Sequence, residues 1–161
     1  SNAPIFQTSM WFRGDVNSKL KGYLFYNGKQ IANTENGGVG QTNYVLIEGD
    51  SDSKYRWELN RFTFYNARYY DQKGDNKNLH AFNRNPGNYE IKILLDGELV
   101  RTVFFTVGAD GKIVDNGVAK NNGLNGFGIV VPAKVIPTKE GAVNLSAYKT
   151  EAFYGNILAG F

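Results

Sequence analysis

Short apolar stretches, rich in β-branched and aromatic side chains, recur along this chain and are separated by glycine, asparagine and aspartate. This rhythm constrains the fold more than any other feature. It lacks the 3.6-residue period of an amphipathic helix and matches strands bounded by turn residues. The pattern predicts strands over Ile5–Arg13, Leu20–Tyr26, Lys29–Thr34, Thr42–Ile47, Tyr55–Tyr65, Tyr89–Leu95, Leu99–Val107 and Phe127–Val131, with a weaker one over Val143–Lys149. The expected fold class is all-β: two packed antiparallel sheets, with helix in fewer than about a tenth of the residues. A share of 14% aromatic and 42% hydrophobic residues supplies a sizeable core, and nineteen glycines supply turns.

Two hairpins stand out. Tyr26-Asn27-Gly28-Lys29 and Leu95-Asp96-Gly97-Glu98 place dipeptides that tolerate positive φ between apolar runs. In the second, a two-residue loop sets Lys92 opposite Arg101. A three-residue loop with a bulge at Gly97 pairs Ile93 with Leu99 and Tyr89 with Val103, and is preferred. One face then reads Tyr89, Ile91, Ile93, Leu99, Val103, Phe105, Val107, with Arg101 as its polar intruder. Glu90, Lys92, Val100, Thr102, Phe104 and Thr106 form the other. Burial of one face fixes such a register. Beyond their turn dipeptides the two hairpins show no shared pattern.

Pro86-Gly87-Asn88-Tyr89, followed by a hairpin ending in Phe104-Phe105-Thr106-Val107, resembles the last two strands of bacterial immunoglobulin-like and fibronectin-type β-sandwich domains. The resemblance covers about thirty residues. It implies an immunoglobulin-like antiparallel sandwich in which Tyr89 forms a tyrosine corner, its hydroxyl bonding back to the chain. It implies a fold and no particular function. Such a domain takes about 100 residues, which 5–107 fills. Residues 108–161 are expected to add a C-terminal β extension to the same domain.

Ser1-Asn2-Ala3 reads as the scar of an expression tag. The chain has no cysteine, which excludes a disulfide framework and cysteine-ligated metal. Eighteen basic residues against fifteen acidic ones, interspersed, give a net charge of +3 and no basic run of the kind that marks a nucleic-acid tail. No apolar run is long enough for a membrane helix. The expected setting is an exported, periplasmic or cell-surface bacterial protein.

Catalytic patterns are sparse, and the chain is expected not to be an enzyme or to hold a cofactor. The one histidine, His80, lies in a polar stretch with no nucleophile motif nearby and reads as a solvated loop residue. Zinc needs more nitrogen or sulfur ligands than this. Asp71 and Asp75, with Asn76 and Asn78, are weak calcium candidates: their oxygens suit the ion, but the spacing lacks the full loop pattern. Gly37-Gly38-Val39-Gly40 leads into a strand and reads as a loop, not a phosphate cradle. Residues 71–86, rich in Asn and Lys, are expected to form a long loop with little strand structure.

The densest unusual segment runs from Tyr55 to Tyr70, where aromatics and arginines interleave. The apolar alternation changes phase between Phe62/Phe64 and Tyr65/Ala67/Tyr69, which predicts a bulge or bend near Tyr65. Arg61, Tyr65, Arg68 and Tyr69 are the candidate ligand-binding residues, since rigid rings and planar donors dominate binding hot spots. A long central strand with one aromatic face in the core accounts for the same residues. Three functions follow in order: a non-catalytic module acting by protein–protein contact, a carbohydrate-binding module using exposed rings, and an enzyme without a recognisable signature.

Overall fold

Seven of the nine expected strands form. The structure is a computed structural model and describes residues 4–13, 15–45, 57–72, 77–115 and 117. Its strands are β1 (Ile5–Arg13), β2 (Leu20–Tyr26), β3 (Lys29–Asn33), β4 (Val39–Val45), β5 (Trp57–Arg68), β6 (His80–Ala81), β7 (Gly87–Leu95) and β8 (Glu98–Val107). Two single-turn 3-10 segments, Asn17–Lys19 and Phe82–Arg84, are the helical structure among the described residues. Phe127–Val131 and Val143–Lys149 lie outside those residues, as does most of the C-terminal extension.

The strands make a β-sandwich. The first sheet has the order β1-β5-β4, with β6 pairing on β5; the second has the order β3-β2-β7-β8. Every pairing is antiparallel except β5 with β6, which is parallel over two residues. Between the sheets lie Phe6, Phe12, Phe62 and Phe64 from the first and Leu24, Tyr89, Ile91, Ile93 and Phe105 from the second. Each such side chain contributes about 1.5–3 kcal/mol by leaving water. Past β8 the chain turns back: Ile113 bridges Val107, and Val114 N donates to Thr106 O at 2.8 Å.

The faces of β7 and β8 match the alternation, but their register does not. The loop has two residues, not three. Leu95 pairs with Glu98, and Asp96 (φ 50°) and Gly97 (φ 81°) take the left-handed conformations of a turn whose twist suits a hairpin. The register then shifts between Ile93 and Leu94, so Ile93 faces Arg101, Ile91 faces Val103 and Tyr89 faces Phe105. The extra residue, Val100, restores the inward phase and sets Lys92 opposite Thr102, which removes the like-charge clash. The consequence is local. Leu99, expected in the core, is 39% exposed, and Val100, expected outside, is fully buried. Tyr89, Ile91, Ile93, Phe105 and Val107 are buried in one core, with Val103 packed against it.

The first hairpin uses the same device. Tyr26 pairs with Lys29 across Asn27 (φ 46°) and Gly28 (φ 83°), Phe25 pairs with Gln30, and then Leu24 pairs with Ala32, leaving Ile31 as the extra residue. The two hairpins therefore share a bulge at the same offset as well as turn chemistry.

The bulge expected near Tyr65 is present. Phe6 pairs with Phe64, but the next residue, Ile5, pairs with Arg68. Tyr65, Asn66 and Ala67 are looped out, which moves the inward phase from Phe62 and Phe64 to Ala67. Gly38 marks a close approach at the start of β4. A Cβ there would sit 2.5 Å from Thr63 O, so the Gly37-Gly38-Val39-Gly40 stretch is an ordered entry to a strand.

Residues 71–86 are more ordered than expected over their described part. Leu79 leads into β6, where His80 pairs with Ala67 and Ala81 with Arg68, and a 3-10 turn follows. The cause is Phe82, a buried ring in contact with Phe6, Tyr89 and Phe105, which draws this stretch onto the sandwich.

Candidate functional site

The four candidate residues do not form one surface. Arg61 projects from the middle of the outer face of the first sheet, opposite Ser9 on β1 and Gly40 on β4. Tyr65 is 45% exposed within the β5 bulge. The Arg68 guanidinium folds back, Nη1 donating to the carbonyl oxygens of Tyr65 and Ala67, so it fastens the bulge. The Tyr69 ring packs edge-on against Phe6 and Phe82, with ring centroids 5.6 and 6.0 Å away, and its hydroxyl donates to Gln7 O at 3.4 Å. Burial pushes the Tyr69 hydroxyl pKa up. Arg68 and Tyr69 serve the fold; Arg61 and Tyr65 are accessible.

At the same end of the sandwich, Tyr89 forms the expected corner. Its hydroxyl donates to Asn85 O at 2.7 Å and also lies 2.7 Å from His80 Nε2. A hydroxyl has one proton, and a carbonyl oxygen accepts only. Nε2 must therefore carry the hydrogen of the second bond. The His80 ring sits among Tyr26, Phe82 and Tyr89, at centroid distances of 5.1, 6.1 and 5.6 Å. It is half-buried and tied into the structure, not a solvated loop residue. Burial lowers its pKa and raises that of Tyr89. Tyr26 completes the corner, its hydroxyl donating to Pro86 O at 2.9 Å. Gly87, at φ 147°, lies against the Tyr26 ring, where an added Cβ would come within 3.0 Å. This explains the Pro86-Gly87-Asn88-Tyr89 sequence as a fastening of two hairpins.

The other end of the core is polar. Asn60 and Glu58 are buried on the inner face of β5, and Asn17 Nδ2 donates to Asn60 Oδ1 at 2.8 Å. Arg101, also buried, lays its guanidinium 3.7 Å from the centroid of the Phe12 ring and donates to Trp11 O. That bond occupies a carbonyl of β1, an edge strand among the described residues, and so blunts the edge.

Of the two calcium candidates only Asp71 is described. Asp71 Oδ2 is 3.2 Å from Arg84 Nε, and Asp75 lies outside the described residues. Among the described residues no three His, Asp or Glu side chains come together, and no helix is long and apolar enough to cross a membrane.

The outer sheet faces carry what the sequence reading missed. On the second sheet, Gln30, Phe25, Glu90 and Phe104 form one cross-strand row, Asn33, Tyr23, Lys92 and Thr102 the next, and Lys21, Leu94 and Leu99 a third. Phe104 is 60% exposed. Lys92 Nζ lies 4.6 Å from the Phe25 ring centroid and 3.6 Å from Glu90 Oε1. On the first sheet, Trp11, 39% exposed, shares a row with Leu59 and Asn43, next to the row of Ser9, Arg61 and Gly40. A sequence signal for Trp11 existed. In β1 the inward positions are Phe6, Thr8, Met10 and Phe12, which leaves Trp11 as an aromatic ring among Gln7 and Ser9.

The chain matches no protein-family model, no curated protein and no solved structure.

Proposed function

We propose that this chain is a non-catalytic, immunoglobulin-like binding module of an exported or cell-surface protein, acting by protein–protein contact through the outer face of its second sheet. The strand order supports the immunoglobulin-like reading. With β1 as strand B, the two sheets read B-E-D and C′-C-F-G, and Tyr89 makes its corner on the strand that corresponds to F.

The observation that carries the function is Phe104. A phenylalanine 60% exposed on the outer face of the edge strand β8, sharing that face with Leu99, Leu94, Phe25 and Tyr23 around Glu90, Lys92 and Thr102, contributes nothing to the core. Exposed large apolar side chains gathered on one face mark contact surfaces. Rigid aromatic anchors flanked by polar groups, here the Lys92–Glu90 pair, are the usual energetic centre of such contacts. The neighbouring edge of β8 adds a second means of attachment. Among the described residues it is covered only near its C-terminal end, by Ile113 and Val114.

The test is capture by the immobilised chain from an extracellular protein fraction of its source. A partner retained by the parent and lost with Phe104→Ser or Leu99→Ser supports the reading. Retention unchanged in both variants contradicts it.

A further inference from the structure

The geometry points to a second binding surface on the opposite side of the molecule, the outer face of the first sheet, which takes an acidic saccharide. The face is built from cross-strand rows: Gln7 with Thr63, then Ser9, Arg61 and Gly40, then Trp11, Leu59 and Asn43. It differs in kind from the Phe104 face. Its two large groups are one flat ring and one planar cation, set among short polar side chains.

Three observations choose the ligand. First, the Trp11 ring is accessible on a sheet face, where a flat ring offers an apolar platform for the C–H face of a pyranose. Second, Arg61 is flanked by two small neighbours, Ser9 and Gly40, so neither of its described cross-strand partners covers the guanidinium. Its exposed side chain has no hydrogen bond or ion pair with a described residue. Third, no acidic residue occupies any of these rows. A surface guanidinium without an acidic neighbour, presenting a fork of donors, complements a carboxylate or sulfate supplied by the ligand. Trp11 and Arg61 are diagonal neighbours across the β1–β5 pair, a separation of about 7–8 Å. One or two sugar rings span that distance, so a single ligand engages the ring and the cation together. Ser9, Asn43 and Gln7, all exposed, supply donors and acceptors for hydroxyls.

The surface is independent of the Phe104 face, so either proposal can fail alone. The experiment is calorimetric titration of the whole chain with hexagalacturonate, a heparin hexasaccharide and, as the neutral counterpart, maltohexaose, with tryptophan emission as a second readout. Binding of at least one acidic hexasaccharide, at least tenfold weaker to maltohexaose, is expected. Trp11→Ala and Arg61→Gln should each weaken binding tenfold or more. Ser9→Glu, which sets a carboxylate beside Arg61 at an exposed position and leaves the core untouched, should do the same. Phe104→Ser should leave it unchanged. The carboxylate and sulfate ligands separate the two possible sources of negative charge. Absence of binding to both acidic sugars overturns the proposal, as does equal binding to maltohexaose. Binding unaffected by Arg61→Gln and Ser9→Glu also overturns it, as does equal binding of a polyglutamate peptide through the same residues.

Discussion

At the scale of single residues, the Tyr89 hydroxyl joins three parts of the chain. Removing it by Tyr89→Phe keeps the ring packed between Phe82 and Phe105 but leaves Asn85 O and His80 Nε2–H without their partner. The cost should be about 1–3 kcal/mol, read as a lower urea midpoint. Ile93→Ala, which empties a fully buried site, should cost more, about 2–5 kcal/mol. His80 makes the corner sensitive to acid. Burial lowers its pKa in the folded chain below the ordinary value of 6.5, so the unfolded chain takes up the proton first. Its contribution is present in full above pH 6.5 and is lost as pH falls from there through the folded pKa. The parent should lose more stability than His80→Gln between pH 7 and pH 5. Parallel curves for the two chains would contradict this. The sequence could not show it, because His80 is buried by Tyr26 and Phe82, and only the fold brings Tyr26 beside it.

Among the elements, bulges decide which residues face out. In the β7–β8 hairpin the sequence correctly separated the faces but mistook the turn. A two-residue loop with one extra residue in β8 has the same parity as a three-residue loop, so only Leu99 and Val100 change sides. Hydrophobicity alone could not tell them apart, since both are aliphatic. Deleting Val100 removes the extra residue and should leave a regular two-residue hairpin in which Ile93 still faces Arg101, Ile91 faces Val103 and Tyr89 faces Phe105. The chain should keep those cross-strand contacts and lose about 1.5–3 kcal/mol with the buried side chain. Contacts that instead set Ile91 opposite Thr102 and turn Phe105 outward would refute the bulge. The β5 bulge was legible because its phase change falls between strongly apolar positions. Its fastening by Arg68 was not, and it removes Arg68 from the candidate binding set. Arg68→Ala should lower the urea midpoint by opening the Tyr65–Ala67 loop, and an unchanged midpoint would argue against that role.

Over the whole molecule, the sandwich separates a filled core from two outer faces. Its two ends are filled, one by the Tyr89 corner and the other by Asn60, Glu58 and Arg101. Each outer face presents one accessible aromatic ring that the binding proposals use, Phe104 on one and Trp11 on the other, while Tyr44, Tyr65 and Tyr70 are exposed elsewhere. Both binding proposals depend on this division into inner and outer positions. The absence of cysteine from the sequence makes it directly measurable, since any thiol introduced is the only one present. Single variants Trp11→Cys, Leu99→Cys, Phe104→Cys, Val100→Cys and Phe105→Cys can be reacted with a thiol reagent under native conditions. The account predicts rapid labelling at positions 11, 99 and 104, and protection at 100 and 105 that is lost only on unfolding. Rapid labelling at 100 with protection at 99 or 104 would contradict it.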